Sequence, residues 1–268
     1  DSIPTYGKLS EVIWELNMQE KHMIEVPNLI LGKTYQVIEV TREGNVITGN
    51  NSYYDVTYST NSSTITADQP IESVTVTNSV KTINVNFIKK WEDSNNIHGI
   101  RPILIKIQLY ADGVKLGDEV EVTVQNVSNS DPNMWTYVFE NLRKYDETGK
   151  EIVYTIEEVG IINNYTVGTP VVDGNTTTIT NTELVGALTV TKQVINTGND
   201  ITSTADSTFY FVLEQDSNGY VSKDGSIKNQ IDADCIYSIK TGPYGDEGYS
   251  KKISNLTIGA TYKVIEVN

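Results

Sequence analysis

Apolar and polar residues alternate in short runs along most of the chain, the spacing of strands whose side chains point to opposite faces with a period of two. The clearest runs are VTVTNSV, ILIKIQLYADG, VTVQNV, WTYVFENL, YTIEEV, TTTITNT and ALTVTKQV, each bounded by Gly, Asn, Asp or Ser. Thr, Val, Ile, Tyr and Asn are abundant while Ala and Leu are scarce, so the pattern predicts an all-β protein with no helix longer than a turn or two. In KTINVNFIKKW the alternation puts Ile83, Val85, Phe87 and Trp91 on the buried side of a strand. Lys89 falls on that same side, although an ammonium in a core is costly unless it is paired or neutralised.

The chain repeats itself. NLILGKTYQVIEV at residues 28–40 returns as NLTIGATYKVIEV at 255–267, and a copy with a longer hairpin is NLRKYDETGKEIVYTIEEV at 141–159. The three copies place Glu39, Glu158 and Glu266 in equivalent positions. A second element pairs VTVTNSVKTINVNFIKK with TTITNTELVGALTVTKQ, so Asn78 precedes Lys89 by eleven residues and Asn181 precedes Lys192 by the same eleven. Each such element ends one domain on an Asn-bearing strand and starts the next on a Lys-bearing strand. Domains are therefore expected at 1–80, 81–183 and 184–268, with almost no linkers. Only the middle domain has the full order Lys89, Glu158, Asn181; Lys8 lies too near Glu39 to supply a lysine to the first, and the last stops before an Asn strand. This order predicts a segment of a longer tandem array.

Composition narrows the function classes. The 268 residues include 35 acidic and 20 basic side chains, a net charge of -15, which argues against nucleic-acid phosphates and anionic membranes as partners. A single cysteine excludes an intrachain disulfide, and no Cys and His cluster suggests zinc, so no metal or cofactor is expected. No run of about 18 apolar residues is present, so no membrane span is expected in this segment.

If the strands of Lys89 and Asn181 are neighbours in one sheet and the strand of Glu158 faces them from another, the three side chains can meet in an apolar core about 10 Å thick. Desolvation disfavours both charged forms, which allows a neutral amine beside a protonated carboxylic acid. A neutral lysine is a nucleophile. Attack on the Asn181 carboxamide carbon, with Glu158 polarising the carbonyl and relaying protons, would expel ammonia and leave a Lys–Asn isopeptide bond. Proximity suits a reaction that happens once, since effective molarities of about 10⁵ M are reachable for well-oriented groups. An inward lysine more often snorkels to solvent or pairs with a carboxylate. The repeated eleven-residue spacing and the repeated Glu strand weigh against that ordinary role. Alternation leaves Lys90 and Glu157 on the outer faces, and Trp91, Phe139 and Tyr154 are expected around the lysine.

The residues FIKKWEDSNNIHGIRPILIKIQLYADG, WTYVFENLRKYDETGKEIVYTIEEV and TITNTEL resemble the B-type repeat domain of collagen-binding adhesins, the CnaB-like domain of Gram-positive surface proteins and pilins. The resemblance implies tandem inverted immunoglobulin-like β-sandwiches and an isopeptide bond between Lys89 and Asn181 with Glu158 as the catalytic residue. It assigns Lys192 and Glu266 to the third domain and Glu39 and Asn78 to the first. The function implied is a stalk segment of a cell-wall-anchored surface adhesin or pilus, outside the cell, with neighbouring repeats as its partners and no catalytic turnover. The alternative is a module that itself binds a host protein such as collagen. A calcium-stiffened sandwich would use DSNG at 216–219 or DGN at 173–175, but neither has the spaced ligand set of a calcium loop, and both read as turns. Glu157 and Glu158 point to opposite faces of one strand, which excludes them as a glycosidase pair.

Overall fold

A computed structural model describes residues 23–48, 53–192, 207–241 and 249–268. Lys8 lies outside the described residues. The chain forms two compact units, one drawing on the chain up to Asn84 and on Glu140–Val153, the other on Val85–Phe139 and Tyr154–Asn268. Apart from one short 3-10 turn at Val124–Asn126, the regular structure of the described residues is β.

In the first unit β1 (Thr34–Tyr35) pairs with β3 (Ser63–Thr64), and β2 (Tyr54–Tyr58) pairs antiparallel with β4 (Val76–Val80). The TYQVIEV segment, expected as a regular strand, contributes only the two residues of β1 and an isolated bridge from Val40 to Val46. The equivalent strands of the other copies run six residues because each has a full ladder to a neighbour. Residues 36–39 have no such ladder among the described residues.

The first sandwich, built mainly from the second unit, contains β5 (Thr82–Glu92), β6 (Leu104–Ala111), β7 (Val114–Lys115), β8 (Val120–Thr123), β9 (Val127–Ser128), β10 (Asp131–Arg143), β11 (Tyr154–Val159), β12 (Tyr165–Val167), β13 (Val171–Asp173) and β14 (Thr176–Glu183). One sheet has the order β12-β14-β5-β10-β9 with β13 beside β14, and the other has β11-β6-β7 with β8 beside β6. Both inner faces are apolar: Val85, Phe87, Trp91, Trp135 and Ile179 from the first sheet, Ile105, Ile107, Leu109, Val122 and Ile156 from the second are buried. The two strands farthest apart in sequence, β5 and β14, lie side by side in parallel, with Ile179 opposite Lys89 and Asn181 opposite Trp91.

The remainder of that unit contains β15 (Val185–Thr191), β16 (Ser207–Gln215), β17 (Gly219–Val221), β18 (Ile227–Lys228), β19 (Tyr237–Thr241), β20 (Ser250–Thr257) and β21 (Tyr262–Val267). β15 pairs with β20, while β16 is flanked by β17, β19 and β21. Phe211, Leu213, Val221, Tyr237, Ile239, Ile253 and Leu256 form their own buried cluster. DSNG is the β16–β17 hairpin turn, and the Asp216 carboxylate accepts the Thr261 backbone N–H at 2.7 Å.

The conformations explain the repeated letters. Asn28, Asn141 and Asn255, the first residue of each copy, all have left-handed backbones, with φ of 62°, 56° and 61°. Asn is among the few residues with a side chain that enter this region readily. The repeated tyrosine closes the turn that follows: Tyr35 Oη accepts the Ile30 N–H at 2.8 Å, and Tyr262 Oη donates to the Thr257 carbonyl at 3.1 Å.

Candidate functional site

Alternation along β5 turns Val85, Phe87, Lys89, Trp91 and Asp93 to the interior, and the same alternation along β14 turns Thr177, Ile179, Asn181 and Glu183 there. Because the two strands are parallel neighbours, Lys89 and Asn181 sit diagonally across the ladder on one face. β11 brings Glu158 from the opposite sheet. Lys89 Nζ lies 2.6 Å from Glu158 Oε2, and Asn181 Nδ2 donates to Glu158 Oε1 at 3.1 Å. One carboxylate thus holds both nitrogens. Lys89 and Asn181 are 0 % exposed, so the cluster is sealed from bulk water. Lys90 and Glu157 face outward.

Burial is the main influence on Lys89 and brings its pKa down to about 8, against the opposing charge and hydrogen bond of Glu158. An amine held that low is available as a neutral nucleophile far more often than a surface lysine. Asn181 Oδ1 is buried with no hydrogen-bond donor. An orphaned buried acceptor is uncommon and costly, and here it belongs to the carbonyl expected to be polarised by Glu158, whose carboxylate instead meets the amide nitrogen.

The aromatic wall differs from the expected one. Phe139 and Tyr154 are only half-buried, whereas Trp135 is 1 % exposed and meets Trp91 edge-on with ring centroids 5.1 Å apart. Tyr165 meets Trp91 from another side at 5.2 Å. Lys89 Nζ lies 4.9 Å from the Trp91 ring centroid, and the Arg101 guanidinium lies 5.5 Å from the same ring. Arg101 forks onto the buried Asp93 carboxylate, which also accepts from the Tyr165 hydroxyl at 3.0 Å and from the Asn96 N–H at 2.9 Å. This bracket fixes the loop after β5 and braces Trp91 against the lysine. The sequence reading missed it, although Asp93 continues the odd-numbered inner face of β5.

The other two copies each bring together two of the three residue types. In the first, Asn78 Nδ2 donates to Glu39 Oε1 at 2.8 Å, and Glu39 Oε2 is buried without a partner. In the last, Lys192 Nζ lies 2.7 Å from Glu266 Oε2 and 4.3 Å from the Phe209 ring centroid, but the two side chains are 26 % and 56 % exposed. These pairs are not joined by the third residue type among the described residues.

The fold is a β-sandwich with parallel first and last strands that encloses a buried Lys–Glu–Asn cluster. Residues 85–182 match the family model of the Cna protein B-type domain. The collagen adhesin of Staphylococcus aureus is 36% identical over 78 residues, which are 29% of this chain and 6% of that protein. Among solved structures, a single B repeat unit of the collagen-binding surface protein of Staphylococcus aureus is 25% identical, with 70% of this chain and 87% of that chain covered and a TM-score of 0.31. The major pilin from Streptococcus pyogenes is 19% identical, with 70% and 83% covered and a TM-score of 0.40.

Proposed function

We propose that the chain is a stalk segment of an extracellular adhesin or pilus-like surface protein, anchored at the cell wall, whose middle domain locks itself with an isopeptide bond between Lys89 and Asn181. The observation that carries this reading is the sealed cluster in which Glu158 touches both nitrogens. Proton transfer from the Lys89 ammonium to the Glu158 carboxylate leaves an amine beside a carboxylic acid with no change in net charge. The amine lone pair attacks Asn181 Cγ, and Glu158 carries the proton released by the attacking nitrogen to Nδ2. The Cγ–Nδ2 bond breaks, ammonia departs, the new Nζ–Cγ amide forms, and Glu158 retains one proton. By the repeat, Lys192 with Glu266 and Glu39 with Asn78 are parts of the equivalent sites of the neighbouring domains. Each would be completed by the residue type it lacks. Neighbouring repeats are the partners, and adhesion to a host protein would reside in other regions.

Intact-mass measurement of the folded protein tests the bond. One ammonia should be missing from the wild type, and Glu158→Gln, Lys89→Met and Asn181→Ala should each have the mass their sequence requires. A folded wild-type chain of full mass would overturn the proposal.

A pH titration gives a second check. In Asn181→Ala the Lys89 amine remains, with a folded pKa near 8 against an ordinary value of 10.5. Below about 8 both states bind the proton and the burial penalty is complete. Between the two values the unfolded chain retains a proton that the folded chain has lost. Stability should therefore rise with pH across that window, by on the order of 3 kcal/mol. The crosslinked wild type has no amine at this position and should lack the rise, as chemical denaturation at several pH values would reveal.

A further inference from the structure

A second buried polar cluster lies in the same compact unit, at the end of β14, and plays no part in the crosslink. His98, in the loop after β5, points its Nδ1 at Glu183 Oε1 at 2.7 Å and its Nε2 at the Asn255 carbonyl oxygen at 3.0 Å. The side chains of His98 and Glu183 are 2 % and 4 % exposed. Glu183 ends the strand that carries Asn181, whereas Asn255 lies on β20, the partner of β15. The ring therefore joins the first sandwich of this unit to the strand group that follows it. The turn across from it is shaped to admit the ring: a Cβ on Gly225 would come within 3.2 Å of His98 Nε2 and 2.6 Å of Asn255 Nδ2, and the φ of +97° there already favours glycine.

A carbonyl oxygen can only accept, so Nε2 must carry a hydrogen. An ionised carboxylate can also only accept, so Nδ1 must carry one too. Both contacts are satisfied together when the ring has two protons and a positive charge. With one proton, Nε2–H keeps the carbonyl while a bare Nδ1 lone pair faces the Glu183 carboxylate in a site nearly free of water. Two carboxylates nearby are already committed. Asp93 is held by Arg101 and Tyr165, and the Asp224 carboxylate accepts from the Ser226 N–H and hydroxyl at 2.9 and 2.7 Å.

We propose that His98 is a proton-dependent clamp between the two strand groups, closed when the ring is doubly protonated and released as pH rises. Closing takes up one proton, so the open-to-closed ratio changes by at most about tenfold per pH unit. A stalk built this way is stiffer in acid than in alkali at this joint, without any change in the covalent bond beside it.

Spin labels at Lys115→Cys on β7 and Lys251→Cys on β20, in a Cys235→Ala background, report the joint by pulsed distance measurement. Histidine changes charge within about pH 5 to 8, so the pair is measured on both sides of that range. The expected result is a single narrow distance in acid and a broadened distribution in alkali. His98→Leu should be broad throughout. Glu183→Gln is the decisive variant. An amide can accept from a protonated Nδ1 or donate to a bare one, so its distribution should stay narrow at both pH values. A wild type with the same distribution at both pH values, or a Glu183→Gln protein that broadens in parallel with it, would overturn the proposal.

Discussion

Pulled from its two ends, the wild-type protein should extend by about 300 Å less than Glu158→Gln, because roughly 90 residues between Lys89 and Asn181 are bypassed at about 3.4 Å each. The proposed bond would join β5 to β14, the first and last strands of the sandwich, and these are already parallel neighbours in register. Force entering near Lys81 and leaving near Glu183 then runs through the amide, and the strands in between carry none of it. Single-molecule stretching reads this as a missing unfolding step. The same closure constrains the unfolded chain, and by analogy with disulfides of that loop length it stabilises the domain by about 4–5 kcal/mol. Lys89→Met separates the bond from its chemistry, since it removes both the amine and the crosslink and leaves no unpaired ammonium. It should release the same extra length as Glu158→Gln. Equal extension of the wild type and both variants would sink the mechanical reading.

The repeat made the cluster visible before any coordinates. Two spacings of eleven residues located Lys89, Lys192, Asn78 and Asn181, and simple alternation placed Lys89 and Glu158 inward and Lys90 and Glu157 outward. The all-β class followed from the same alternation. What alternation cannot supply is the identity of neighbours across a sheet. Trp135 and Tyr165 lie on strands far from Trp91 in sequence, and only the order β12-β14-β5-β10 brings the three rings together. The regular strand expected at residues 36–39 is absent for a related reason: a strand is stabilised by its ladder, and the letters TYQVIEV do not specify who supplies it. Glu183 was readable in principle, being two residues beyond Asn181 on the same inner face. Its partner His98 sits in a loop where Ser94, Asn95 and Asn96 all have positive φ, a path that no period predicts.

Arg101→Met should cost about 3–5 kcal/mol at neutral pH, the usual penalty for stranding one member of a buried ion pair. Burial alone would push the Asp93 carboxyl up, but hydrogen bonds from Arg101, the Asn96 N–H and Tyr165, together with the Arg101 charge, hold it below its ordinary value. A carboxyl depressed in the folded state stabilises the fold above its unfolded pKa, and that contribution fades as pH falls through the folded value. Without the guanidinium the sign reverses, because the buried charge is then disfavoured and a proton relieves it. The loss caused by Arg101→Met should therefore shrink on acidification from about pH 7 to about pH 4, where carboxylates begin to protonate. Asp93→Asn combined with Arg101→Met should recover much of the loss at pH 7, since removing both partners leaves no stranded charge. The consequence reaches the proposed reaction through Trp91, whose ring centroid lies 5.5 Å from the Arg101 guanidinium and 4.9 Å from Lys89 Nζ. Releasing that ring lets water approach the amine, so the Arg101→Met chain should lose its ammonia more slowly after refolding, as a time course of intact mass would record. A stability loss of equal size at both pH values would assign Arg101 to packing on Trp91 alone and remove the charge from the account.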